Sequence, residues 1–160
     1  MFRKIRPQKV GVLIATVATA VVVAGVAASP AAAHGCTPGF FKNHTQYFTP
    51  DYPTTRTLGA TFPLVYPALA NDSLLKALSY PGGPGMLGAN QIFMRAAVAA
   101  LLNGNNTDIG RPGADFNMST AYVLSFVNMI YTESNYRGGI IIGAATLDDA
   151  NNFGICQLVQ

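Results

Sequence analysis

Asn90-Gln91-Ile92-Phe93-Met94-Arg95-Ala96-Ala97-Val98-Ala99-Ala100-Leu101-Leu102-Asn103 is the stretch on which the fold turns. Gln91 and Arg95 lie about one helical turn apart and leave only a narrow polar strip; nearly everything else is apolar. A helix apolar almost all round has to be enclosed by neighbours, so this one belongs at the centre of a bundle, and its alanines let those neighbours approach closely. The pattern predicts a helix over 90–102, with Asn90 as its N-cap and Asn103-Gly104 as its end. The fold class that follows is all-α: a small bundle of three to four helices beneath a loop-rich N-terminal cap.

Working outward toward the C-terminus, Arg111-Pro112-Gly113 marks a turn in a polar loop, and a further helix is expected from about Ser119 to Glu133. Asn117 or Ser119 can cap it, and Val123, Phe126, Val127 and Ile130 form its apolar stripe. Ile140-Ile141-Ile142 alone would suit a strand, because β-branched runs favour sheets. A lone short strand would have no partner, and Ala144-Ala145-Thr146-Leu147-Asp148-Asp149-Ala150 reads as helix ending at Asn151-Asn152, so helix is the expectation here. Toward the N-terminus, Asn71 or Asp72 is expected to cap a short helix with Leu74, Leu75 and Leu78 on one face. Pro81-Gly82-Gly83-Pro84-Gly85 breaks it. Residues 34–62 read as loop: Thr37-Pro38-Gly39 is a turn signal, prolines at 50 and 53 discourage long elements, and 55–62 suits a short extended piece.

The first nine residues carry four cations and no acid, and Val10 to Ala28 is an uncharged apolar run closing on Ser29-Pro30-Ala31-Ala32-Ala33. A basic start, an apolar middle and small residues at the −3 and −1 positions compose a secretory signal. The expected cut falls before His34, leaving residues 34–160 as a single secreted domain. The alternative is retention of the apolar run as a membrane anchor, since its length approaches the ~20 residues that span a bilayer. The cut also removes the basic charge. The whole chain is +3, but residues 34–160 hold six cations (Lys42, Arg56, Lys76, Arg95, Arg111, Arg137) against all seven acids, which leaves −1. The expected domain therefore has no basic footprint for nucleic acid.

Cys36 and Cys156 are the only cysteines. In an exported domain an even pair reads as a disulfide, here one that ties the ends of the domain together. On the chain-entropy account it contributes roughly 4–5 kcal/mol.

Cys36-Thr37-Pro38-Gly39-Phe40-Phe41-Lys42-Asn43-His44 resembles the opening of a group of bacterial secreted proteins that carry C-x-x-G-[YF]-W-K-N-H just after the signal. Leu74-Leu75, Arg95 to Asn103, and Leu147-Asp148-Asp149-Ala150-Asn151-Asn152 resemble later patches of the same group. This chain has Phe41 where the group has Trp, and no Trp anywhere. The resemblance implies an exported or surface domain of bacterial origin and brings no mechanism with it. On that bacterial source the four N-x-[ST] sequons, at Asn43, Asn71, Asn105 and Asn117, read as chance.

Two uses of the opening motif compete. Phe40, Phe41, Lys42, Asn43 and His44 could form a recognition patch for a cell-wall glycan or a surface protein. The structural alternative has Phe40 or Phe41 plugging the core while Asn43 and His44 satisfy local backbone. A metal reading is also available: with the cut before His34, its α-amine and imidazole together with His44 would offer three nitrogens to copper. Hydrolytic constellations are missing from the sequence. There is no G-x-S-x-G turn, a cysteine nucleophile would sacrifice the disulfide, and Asp148-Asp149 are adjacent and so point to different sides of a helix rather than pairing as glycosidase carboxylates. The expected protein is thus a non-catalytic extracellular or cell-surface binding domain without a cofactor, with a secreted copper protein or metalloenzyme as the alternative.

Overall fold

The computed structural model describes residues 35–107, 116–154 and 156, and the described residues form an all-helical fold closed by a Cys36–Cys156 disulfide. The signal-like segment, the expected cut before His34 and the turn at 111–113 lie outside them. Six α-helices follow in order: α1 (Pro38–Asn43), α2 (Leu58–Thr61), α3 (Leu74–Ala77), α4 (Gly85–Thr107), α5 (Thr120–Glu133) and α6 (Arg137–Asn151). The long helices α4, α5 and α6 make the bundle, and the three short ones sit in the N-terminal layer. α4 is the central helix and packs mainly against α6 and then α5. Ala97 through Leu102 are fully enclosed along it.

Both ends of α4 differ from the sequence expectation, and glycine is the reason each time. The helix begins at Gly85, a turn and more before Asn90. Gly88 looks like a breaker, yet a Cβ there would overlap the backbone of Gly83, so the residue is set by close approach within the 82–85 turn. Asn90 is therefore a buried interior residue whose Nδ2 donates to Met86 O at 2.8 Å. At the other end the helix runs past Gly104 to Thr107. A Cβ on Gly104 would come within 2.8 Å of Met118 O and Thr120 N, so this glycine admits the backbone entering α5 rather than ending α4.

The N-terminal layer is more helical than expected. Thr37-Pro38 is a helix start, not a β-turn: Thr37 Oγ1 accepts from Phe40 N at 3.2 Å and Pro38 fills the first helical position, where its missing N–H costs nothing. The expected extended piece at 55–62 contains α2, capped by Thr57 Oγ1. Ser73, rather than Asn71 or Asp72, caps α3. Asp72 instead accepts from Lys76 Nζ at 2.7 Å and from the Tyr80 hydroxyl at 2.6 Å.

α5 and α6 follow their patterns closely. Ser119 Oγ caps α5 by accepting from Tyr122 N at 3.2 Å; Val123 and Val127 are fully buried, and Phe126 and Ile130 half-buried. The three isoleucines are helical. Ile140 is buried, Ile141 half-buried and Ile142 exposed, as a turn of 100° per residue requires. Gly143 lets the Ile130 side chain approach α6 closely, with its carbons 3.0–3.1 Å from where a Cβ would stand.

Candidate functional site

The opening motif divides along the faces of α1. Phe41 is fully buried and plugs the core, whereas Phe40 stays half-buried. Phe40 stacks on His44 at 4.4 Å between ring centroids and on Tyr47 at 5.5 Å, and meets Phe41 edge-on at 5.3 Å. His44 Nδ1 donates to Phe40 O at 2.9 Å, and Asn43 Nδ2 donates to Gly39 O at 3.0 Å. Asn43 and His44 thus satisfy helix backbone, leaving Lys42 as the motif's exposed charge. The metal reading needs Nε2 of His44 together with His34, and His34 lies outside the described residues.

Cys36 is held by more than its disulfide. Asn103, buried near the end of α4, accepts from Cys36 N at 2.9 Å and donates to Cys36 O at 2.8 Å. Its Nδ2 also donates to Asn151 Oδ1 at 2.9 Å, and Asn151 Nδ2 donates to Ala96 O at 2.9 Å. Both asparagines are fully enclosed. Gly35 N donates to Phe153 O at 2.9 Å, and a Cβ on Gly35 would overlap the backbone of Ala150 and Asn151. The N-terminal segment is therefore locked onto the ends of α4 and α6 by a satisfied polar network, which is stable in a core only when every member is paired. In the sequence Asn103 reads as a helix stop, yet it lies inside α4, whereas Asn151 does end α6 as its pattern predicts and is buried there as well. The available signal was a polar residue continuing an otherwise apolar helical face.

Above this clamp a cleft of about 520 Å³ opens between α1, the end of α3 and its following turn, α4 and α6. Gly39 and Lys42 come from α1, Tyr80 from the turn, Arg95 from α4, and Asp148 and Asn152 from the end of α6. Three sequence patches distant along the chain meet here: the opening motif, the central helix and the Asp148-Asp149 stretch. Arg95, part of the narrow polar strip of α4, donates through Nη1 to Tyr80 O at 2.9 Å. Asp148, excluded above as half of a carboxylate pair, is exposed and lines the cleft.

The charges in this cleft are not paired with one another. Among the described residues the ion pair is Lys76–Asp72, which lies on the far side of Tyr80. There the Lys76 ammonium, then the Tyr80 hydroxyl, hold the Asp72 carboxyl below its ordinary value, while burial and the adjacent Asp72 push the Tyr80 phenol well up. Tyr80 is thus fixed as a neutral donor to Asp72, and its carbonyl fixes Arg95. The arrangement presents two cations and one carboxylate to solvent on a rigid frame. It is suited to binding a small charged group. No protein-family model, curated protein or solved structure matches this chain.

Proposed function

We propose that this protein is an extracellular or cell-surface-associated binding domain, exported through residues 1–33, cut before His34 and acting without catalysis. The observation that carries the reading is the Cys36–Cys156 bridge, which joins residues 120 apart in sequence with Cα atoms 4.7 Å from each other. Such bridges persist in oxidising compartments, and this one follows directly on a segment with the three parts of an export signal. The resemblance of the opening motif to bacterial secreted proteins supports the same address. The open, charged cleft supports binding as the activity, and a cell-wall glycan, a cell-wall peptide or a surface protein is the expected class of partner.

The test is intact mass spectrometry of the protein from its native host, before and after reduction. The expected species begins at His34 and is lighter by two hydrogens until reductant is added. Recovery of the full-length chain in the membrane fraction would replace secretion by anchoring. Free thiols on the native protein would refute the extracellular reading. A copper soak before the measurement tests the His34 and His44 alternative, which predicts one retained metal ion. Retention on isolated cell-wall material tests binding itself.

A further inference from the structure

The geometry points to the cleft above the Cys36 clamp as a site for the carboxylate end of a short peptide, a conclusion that deepens the binding reading and rests on it. Arg95 is anchored through one nitrogen to Tyr80 O, and neither it nor Lys42 has an ion-pair partner among the described residues. A guanidinium held through Nη1 keeps its Nε–Nη2 edge for a carboxylate, which that edge meets with two parallel hydrogen bonds. Lys42, exposed on α1 across the same cleft, adds a second cation. Asp148 decides between kinds of anion. Its carboxylate also has no ion-pair partner among the described residues, so Lys42, Arg95 and Asp148 together give a net charge of only +1, which one carboxylate balances and which disfavours a phosphate dianion. Asp148 is then the acceptor for the peptide's ammonium or amide N–H.

Gly39 supplies an independent argument. It lines the cleft, its φ is not positive, and a Cβ there would meet nothing nearer than Thr37 Oγ1 at 3.8 Å. Neither backbone nor packing requires a glycine at this helical position, where alanine is intrinsically favoured. The bare backbone of this exposed lining residue leaves room for a ligand's main chain to lie against α1. The volume of about 520 Å³ lies within the roughly 300–1,000 Å³ usual for small-ligand sites.

The experiment titrates the secreted, disulfide-closed protein with trialanine, with trialanine amide and with inorganic phosphate, followed by amide chemical shifts. Trialanine is expected to move Gly39, Lys42, Tyr80 and Arg95, and the amide to bind about tenfold or more weakly. Lys42→Gln and Arg95→Gln are each expected to lose about tenfold in affinity for the free acid. Gly39→Leu should fill the cleft and abolish binding while keeping the thermal transition of the parent, which separates loss of the site from loss of the fold. Equal binding of acid and amide, or equal competition by phosphate, overturns the assignment. If the protein is retained on cell-wall material while the cleft residues stay silent to trialanine, this assignment falls and the binding reading stands; if it is neither retained nor perturbed, both fall.

Discussion

Replacing Asn103 by alanine is the most direct probe of how the N-terminal segment is held. The side chain is fully enclosed and makes three hydrogen bonds, to Cys36 N, Cys36 O and Asn151 Oδ1, all at 2.8–2.9 Å. Asn103→Ala removes these bonds and leaves an N–H and two carbonyl oxygens without their partner. A buried polar group left unsatisfied costs about 1–3 kcal/mol, and a water entering the vacated space recovers part of that. The expected net loss is about 3–5 kcal/mol, a large fraction of the stability of a domain this size. In thermal terms it is a fall of roughly 10–20 °C. Urea unfolding under oxidising conditions, followed by far-ultraviolet circular dichroism, measures it through the shift of the midpoint at constant slope. Asn105→Ala serves as the comparison, because among the described residues Asn105 makes one half-buried side-chain bond, to Thr49 Oγ1 at 2.7 Å, and should cost about 1 kcal/mol. Asn151→Ala combined with Asn103→Ala should cost less than the sum, since the two share a bond. A loss below about 1 kcal/mol for Asn103→Ala would mean that the disulfide alone secures Cys36, and the clamp argument would be wrong.

The two phenylalanines of the opening motif should separate sharply in the same assay: Phe41→Ala is expected to cost about 3–5 kcal/mol as a core cavity, and half-buried Phe40→Ala clearly less, so equal losses would contradict their placement. Reducing the Cys36–Cys156 bridge should lower stability by about 4–5 kcal/mol, read as the difference between urea midpoints with and without reductant; no difference would show that the ends are held independently of it. With pH, Asp72 has a folded pKa below its ordinary 3.8, so its contribution is present above that value and is lost as pH falls through the folded pKa. Acid titration of Asp72→Asn should therefore show a shallower loss of stability below about pH 4 than the parent. Tyr80 shifts the other way. Its raised pKa gives a contribution that is full below 10.0 and is lost as pH rises toward the folded value, so its ionisation should accompany alkaline unfolding in an ultraviolet titration, and ionisation near pH 10.0 in the intact fold would contradict its bond to Asp72.

What the amino-acid order determined by itself was the set of strong local patterns. The apolar run at 92–102 required an enclosed helix, Ser119 with Val123 and Val127 specified α5, and the two cysteines admitted one pairing. These features depend on periodicity and on side-chain chemistry within a few residues, so no distant contact was needed to read them. α1 and α2 stand where a turn and an extended piece are expected, whereas α3 is the short helix its leucines predict; Thr37-Pro38 and Thr57 serve equally as turn and cap signals, and packing against α4 decides between the two. The tertiary structure alone decided why Gly88 and Gly104 are glycines: each admits a backbone segment from elsewhere, which lets α4 continue where local rules would end it. It alone made Asn103, which lies inside α4, and Asn151, the last residue of α6, into the buried clamp that holds Cys36, since their partners lie 67 and 55 residues away along the chain. The cleft has the same origin. Lys42, Arg95 and Asp148 are unremarkable charges in three separate helices, and they become one site only because α1 and α6 are drawn against α4 by the core that the sequence does specify.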